Sequence, residues 1–307
     1  MEYLLLIAGF ALLIKGADWF VDGAADAAAR MRIPTVIVGL TIVSLGTSLP
    51  ELSVSLNAAI QGSNALALSN VVGSNLFNTL VVVGCSALIA PFVMGREIRY
   101  RDTTWNLGMT ALLAVLCIGG TLTRFRGVIL LAALALYLVI LVRAAMASRK
   151  ATQDAPANET PVWKILLLIA VGVACIIFGG DMTVNAARAI ALSWGWSEAL
   201  VGLTIVAIGT SLPELVTSVV AAKKGEAGLS IGNALGSNIM NIGFILGLSS
   251  AIHPIAVVPE NMIDICILLA VALLIVVMAW RSDKMNRPRG WLFLGLYLGY
   301  FVYILLR

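Results

Sequence analysis

The heptapeptide Gly46-Thr-Ser-Leu-Pro-Glu-Leu52 recurs unchanged as Gly209-Thr-Ser-Leu-Pro-Glu-Leu215. The recurrence extends in both directions. Residues 39–84 align without gaps to 202–247 at an offset of 163, and 23 of these 46 positions are identical. Asn70, Gly73, Ser74, Asn75 and Asn78 match Asn233, Gly236, Ser237, Asn238 and Asn241. Upstream, Gly16, Asp18, Val21 and Ala24 match Gly179, Asp181, Val184 and Ala187. Self-similarity at a fixed offset marks one structural unit used twice.

The solvent of that unit follows from composition. Of 307 residues, 60% are hydrophobic and 12% charged, where a soluble domain carries about 25% charged residues. The mean hydropathy is +1.00. A membrane span needs roughly 20 apolar residues, because the hydrocarbon core is about 30 Å thick. Ten such spans are predicted, near 3–28, 34–60, 66–90, 103–122, 127–146, 163–187, 198–222, 228–252, 262–280 and 290–306. The offset therefore covers five helices. Five is odd, so the second copy enters the bilayer from the opposite side. The expected fold is an all-α integral membrane protein, with ten transmembrane helices in two inverted five-helix repeats. Residues 1–146 form the first repeat and 161–307 the second, joined by the polar linker 147–160.

The net charge of +4 is a topology signal rather than a nucleic-acid footprint. With the N-terminus outside, 15 of the 20 Lys and Arg residues fall on the cytoplasmic side. That bias sets the orientation and places both termini outside, in a plasma or inner membrane. The first span lacks a basic leader and reads as a membrane helix, not a cleavable signal. Cys85, Cys117, Cys175 and Cys266 lie in or at the end of apolar spans without CxxC spacing, and are expected to be buried free thiols.

Glu51 is the only charged residue between Ile33 and Arg96, and Glu214 the only one between Ala199 and Ala222. A carboxylate at mid-membrane costs at least about 2.5–3.5 kcal/mol, and the sequence bears that cost twice at equivalent positions. The plain explanation is pairing with a buried base, but Lys15 is the only basic residue deep in a span. Protonation or a cation remains, and the neighbours favour a cation. Thr47 and Ser48 precede Glu51 by four and three residues and are expected to share its helix face. Pro50 and Pro213 have no N–H, which frees the carbonyls of Gly46 and Gly209. Ser74 and Asn78 lie four apart on the next span, as do Ser237 and Asn241, and Gly73 and Gly236 are expected to let that helix approach the broken one. The donors are all oxygen, which suits hard cations such as Ca²⁺ and Na⁺. Paired His or Cys ligands for zinc or copper are absent.

These motifs, with Asn70-Val-Val-Gly-Ser-Asn-Leu-Phe-Asn78 and its second copy, resemble the two alpha-repeats of the sodium/calcium exchanger family, within the wider cation/calcium antiporter superfamily. The prokaryotic members look most similar. The resemblance implies ion sites on Ser44, Thr47, Ser48, Glu51, Ser74 and Asn78, and on Ala207, Thr210, Ser211, Glu214, Ser237 and Asn241. It implies Ca²⁺ held chiefly by the two glutamates with Na⁺ sites around it, and antiport by alternating access with no cofactor. Two departures are visible. Ser44 stands where a small residue donating its carbonyl is usual. Asn241 stands where some relatives carry Asp, which argues against a K⁺-dependent variant.

Other classes are set apart by chemistry. H⁺/Ca²⁺ antiport is the alternative that replaces Na⁺ with glutamate protonation. A channel would need no counter-ion. A membrane enzyme needs a nucleophile–base pair or an open metal site, and neither is visible. Asp18, Asp22 and Asp26 form an i, i+4, i+8 stripe, either an ion vestibule, a contact of the first helix, or a hydrated helix end near Arg30. Lys15 has no evident role, a pair with Asp18 at i+3 being the plain proposal, and Lys223-Lys224 reads as a topology charge. Trp19, Trp105, Trp194, Trp196 and Trp291 suit an aromatic belt, and His253 an interfacial position.

Overall fold

The computed structural model describes residues 1–60, 64–151, 160–196, 201, 204–205 and 207–306, without the side chains of 64–66, 150, 151 and 207. The middle of the linker, 152–159, and the start of the seventh span, 197–200, lie outside the described residues. The chain is helical nearly throughout. The first half contains α1 (Glu2–Met31), α2 (Thr35–Thr47), α3 (Leu49–Ile60), α4 (64–89), α5 (98–117) and α6 (Arg124–Ala151). The second contains α7 (Val162–Ser193), α8 (Ala207–Gly209), α9 (Leu212–Lys223), α10 (Ala227–Ile252), α11 (Pro259–Arg281) and α12 (Arg287–Leu306). Seven described helices are long and apolar enough to cross a membrane, and the bent pair α2–α3 makes an eighth. The remaining two expected positions hold α5 and the α8–α9 segment.

The fourth span departs from its predicted bounds of 103–122. It starts earlier, with a π-turn over Ile98–Asp102, and ends at Cys117. Gly119 and Gly120 then take φ values of +96° and +77°, a reversal that L side chains resist. Two short ladders follow. β1 (Phe92–Val93) pairs with β4 (Lys284–Met285), and β2 (Thr121–Leu122) with β3 (Ile255–Ala256). They extend the repeat past residue 84, because β1 and β3, like β2 and β4, are separated by the same offset of 163. Arg126 closes one turn by donating to the Thr121 carbonyl at 2.6 Å, and Arg289 closes its counterpart through the Lys284 carbonyl.

A large apolar core runs through the helices, with buried Ser, Thr and Asn side chains set within it. In α4 and α10, 78% of the apolar window is buried, against 17% in α12. The helices around them turn Ile7, Phe10, Leu136, Leu166, Phe178 and Leu298 outward, as lipid contact requires. Buried Ser, Thr and Asn side chains join the halves, as in Ser230 to Ser86 at 3.1 Å and Asn261 to Ser69 at 2.9 Å. Small interface residues and interhelical hydrogen bonds are what hold helices together in lipid.

α1 and α7 run antiparallel along a glycine seam. A Cβ on Gly16 would stand 2.9 Å from the Gly172 carbonyl, and one on Gly179 would stand 2.9 Å from the Gly9 carbonyl. Gly236 similarly lets α10 approach Leu40 of α2. Gly73 does not match that expectation: nothing among the described residues lies within 4 Å of its Cβ position. The counterpart of Leu40, Leu203, lies outside the described residues.

Other single-residue expectations divide. The Trp105 ring stacks on Tyr137 at 5.3 Å, and Tyr137 donates to the buried Asp102, which also pairs with Arg101. Trp194, Trp196 and Trp291 are exposed. All four cysteines are free, but Cys266 faces outward rather than inward. His253 caps the end of α10, exposed.

The seam makes a stability prediction. Gly179→Ala should destabilise the detergent-solubilised protein by about 1–3 kcal/mol through overpacking. Gly295→Ala, in open space among the described residues, should be neutral or stabilising by up to about 1 kcal/mol. Thermal unfolding midpoints of the two variants check this.

Candidate cation site

α2 and α3 meet at a 52° bend. Ser48 sits at the break with ψ near 8°. Pro50, two residues on, disfavours helix at Leu49 and withholds an N–H. The second half repeats the device at Ser211, with ψ near 6°. Each glutamate therefore lies in the first turn of a new helix, Glu51 in α3 and Glu214 in α9. Helix N-termini favour negative charge.

The break redirects the hydroxyls. In a continuous helix Ser48 would face Glu51; instead its Oγ donates to Glu214 Oε1 at 3.0 Å, and Ser211 Oγ donates to Glu51 Oε1 at 3.1 Å. Thr47 also turns from Glu51; its hydroxyl lies 3.0 Å from Asn233 Oδ1 and 3.2 Å from the Val43 carbonyl, the acceptors open to its one proton. Each carboxylate is thus held by the opposite repeat. Ser237 Oγ lies 3.5 Å from Glu214 Oε1.

Both glutamates are fully buried, and among the described residues neither forms a salt bridge. Lys15, the one candidate base, bonds Asp18 at 2.7 Å. Pairing with a base is therefore excluded among the described residues. Several oxygens remain buried without a protein partner among the described residues: Oε2 of both glutamates, Ser74 Oγ, Asn78 Oδ1, Thr210 Oγ1 and Asn241 Oδ1. Buried polar atoms are almost always bonded, so such a concentration marks a place for a cation or its water. Ser44 contributes its carbonyl to the Ser48 N–H at 3.0 Å and its hydroxyl to the Thr41 carbonyl. Ala207 begins α8, and its side chain lies outside the described residues. No cluster of three His, Cys, Asp or Glu exists among the described residues; two carboxylates and neutral oxygens make up the donor set.

A cavity lies beside the buried glutamates, on the side of α7. Its volume is about 310 Å³, and it is lined by Pro50, Ser53, Asp181, Asn185, Thr210 and Pro213, among others. On the opposite side α1 packs against α9, with Val216 against the cluster of Leu13, Ala17, Phe20 and Val21. Lys224 ties this side shut. Its Nζ lies 2.5 Å from Asp18 Oδ1 and 2.7 Å from Asp22 Oδ1, and donates to the Asp18 carbonyl at 3.0 Å. Lys224 is thus more than a topology charge, and the acidic stripe is a helix contact at Asp18 and Asp22. The equivalents of Asp18 and Asp22 are Asp181 and Asn185, which line the open cavity. The equivalent of Lys224 is Gln61, outside the described residues.

The family model of the sodium/calcium exchanger protein matches residues 1–143 and 164–306. The chain belongs to the sodium/calcium exchanger family. Among relatives, the sodium/calcium exchanger MaX1 of Methanosarcina acetivorans is 28% identical over 342 residues, covering 98% of both chains. The putative antiporter CaxA of Alkalimonas amylolytica is 36% identical, covering 96% of both. A solved structure of the sodium–calcium exchanger NCX_Mj, soaked with Na⁺ and Sr²⁺, superposes with a TM-score of 0.86 at 32% identity, over 97% of this chain and 96% of that one. The family is one of membrane exchangers.

Within this exchanger the structure adds residues that sequence reasoning quoted only as repeat matches. Asn70 Nδ2 donates to the Glu51 carbonyl at 3.4 Å and to Ser55 Oγ at 3.0 Å. Asn233 does the same to the Glu214 carbonyl and Ser218 at 3.3 and 2.9 Å. Both pin the first turn that carries the carboxylate. Their identity across the repeat was the available signal. In a cysteine-free background, Ser53→Cys should react quickly with a charged thiol reagent and Val216→Cys slowly. Adding Lys224→Gln should raise the rate at Val216→Cys and lower it at Ser53→Cys, as read by labelling time courses.

Proposed function

We propose that the protein is a secondary antiporter that exchanges Na⁺ for Ca²⁺ by alternating access. The observation that carries this reading is the pair of fully buried glutamates, each bonded by a serine of the opposite repeat and unmatched by any described base. Two carboxylates supply a charge of −2. One Ca²⁺ balances it, and Ca²⁺ takes 6–8 oxygens; the proposed ligands are the glutamates with Thr47, Ser48, Ser74, Asn78, Thr210, Ser211, Ser237, Asn241 and the main chain near Ser44 and Ala207. Na⁺ ions compete for the same oxygens. The loads exclude each other by charge, and an empty site of bare charge is costly to carry through the bilayer. Counter-transport follows from that exclusion.

The charge bias supports an orientation with both termini outside, and the proposed location is a plasma or inner membrane. In that orientation the cavity faces outward and Lys224 closes the cytoplasmic side. The proposed motion carries α1 and α7 along the bundle of α2–α4 and α8–α10. The inverted halves then exchange conformations, and the acids at 18 and 181 exchange surroundings.

The test is Ca²⁺ uptake by purified protein in Na⁺-loaded proteoliposomes. Uptake should require the Na⁺ gradient, and Glu51→Gln with Glu214→Gln should reduce it at least ~100-fold, since each neutralised carboxylate removes a charged ligand worth well over a kcal/mol. Uptake driven by a pH gradient without Na⁺ would instead establish H⁺/Ca²⁺ antiport. Full activity in the double variant would overturn both.

A further inference from the structure

Asn75 and Asn238 occupy equivalent positions where α4 and α10 cross, and both are buried. Their hydrogen bonds differ. Asn75 Nδ2 donates to the Asn238 carbonyl at 3.1 Å. A carbonyl only accepts, so this contact fixes which end of the Asn75 amide is NH₂. The other end, Oδ1, also only accepts, and it takes Nδ2 of Asn241 at 3.0 Å. The Asn241 amide is thereby oriented in turn. Its Oδ1 is left buried with no protein partner. Asn241 stands one helical turn beyond Ser237, whose hydroxyl reaches Glu214.

The equivalent relay in the other repeat is not made. Asn238 Nδ2 donates instead to Thr79 Oγ1 at 2.8 Å. Among the described residues Asn238 Oδ1 has no partner, and neither end of Asn78 is bonded. The cause lies in the sequence. The counterpart of Thr79 is Ile242, which offers Asn75 no hydroxyl. Asn75 therefore keeps its NH₂ for the main chain, and only Asn241 is held by a fixed donor–acceptor chain.

We propose that Asn75 is a positioning residue that turns the Asn241 amide so that its oxygen faces the transported cation. A released amide could present NH₂ instead, replacing an attractive ligand with a repulsive dipole. A carboxylate at 241 would present oxygen in either orientation, so the need for Asn75 exists only because 241 is Asn. The inference rests on the reading that Asn241 is a ligand.

The experiment measures Ca²⁺ binding by calorimetry in Na⁺-free buffer, and the apparent KM and maximal rate of exchange, on the full chain. Asn75→Ala should weaken Ca²⁺ binding at least ~10-fold, raising KM with little change in maximal rate. Asn75→Ala with Asn241→Asp should bind as well as Asn241→Asp alone. Asn75→Leu, similar in volume, serves if the alanine variant does not fold. Wild-type affinity at residue 75 variants, or a double variant as impaired as Asn75→Ala, would show that Asn75 only packs. Unchanged affinity in Asn241→Ala would instead overturn the ligand reading beneath it, and the relay with it.

Discussion

Two carboxylates buried side by side, with no described base to balance them, set the terms for the rest of this structure. Each has one oxygen bound by a serine of the opposite repeat, and each leaves the second oxygen free. Neither half forms the site alone. The serines reach across only because the helix breaks immediately before each glutamate. The break depends on a proline that removes an N–H in the next turn. Asn70 and Asn233 then pin the new helix start from the neighbouring helix. Remove any of these and the carboxylates lose both proximity and support.

The inverted duplication gives two nearly equal halves, yet a single conformation cannot treat them equally. A cavity lined by Asp181 and Thr210 lies on one side of the buried glutamates, and on the other α1 packs against α9. The chain departs from its own symmetry where this matters. Lys224 faces Asp18 and Asp22 on the closed side, while the sequence has Gln61 at the equivalent position. Thr79 draws off Asn238, while Ile242 leaves Asn75 free to hold Asn241. Duplication supplies two states of similar construction; the unmatched residues decide how each is held.

The glycine seam of α1 and α7 belongs to the same logic. Long side chains interlock and fix one register, whereas close backbone contact at Gly9, Gly16, Gly172 and Gly179 leaves a smooth face. The central helices are bound instead by Asn, Ser and Thr hydrogen bonds, which are directional and resist displacement. A smooth pair of helices beside a hydrogen-bonded bundle suits the sliding proposed for exchange.

The sequence by itself determined the membrane fold, the inverted repeat and the two glutamates. Each of these is carried by composition, by identity at a constant offset, or by one charge inside a long apolar run, and none needs a contact to be known. The tertiary structure alone decided which glutamate each serine serves. The expectation that Ser48 shares the face of Glu51 assumed a continuous helix, and a break within one turn reverses such a reading. It also decided the true limits of the fourth span, where Gly119 and Gly120 reverse the chain, and the partners of Asp18, Asp22 and Lys224, which lie some 200 positions apart. The ladders of β1 to β4 were equally hidden, because two-residue strands have no periodicity to read. Local pattern records what a residue is; which residues meet across two inverted halves is settled only when the halves pack.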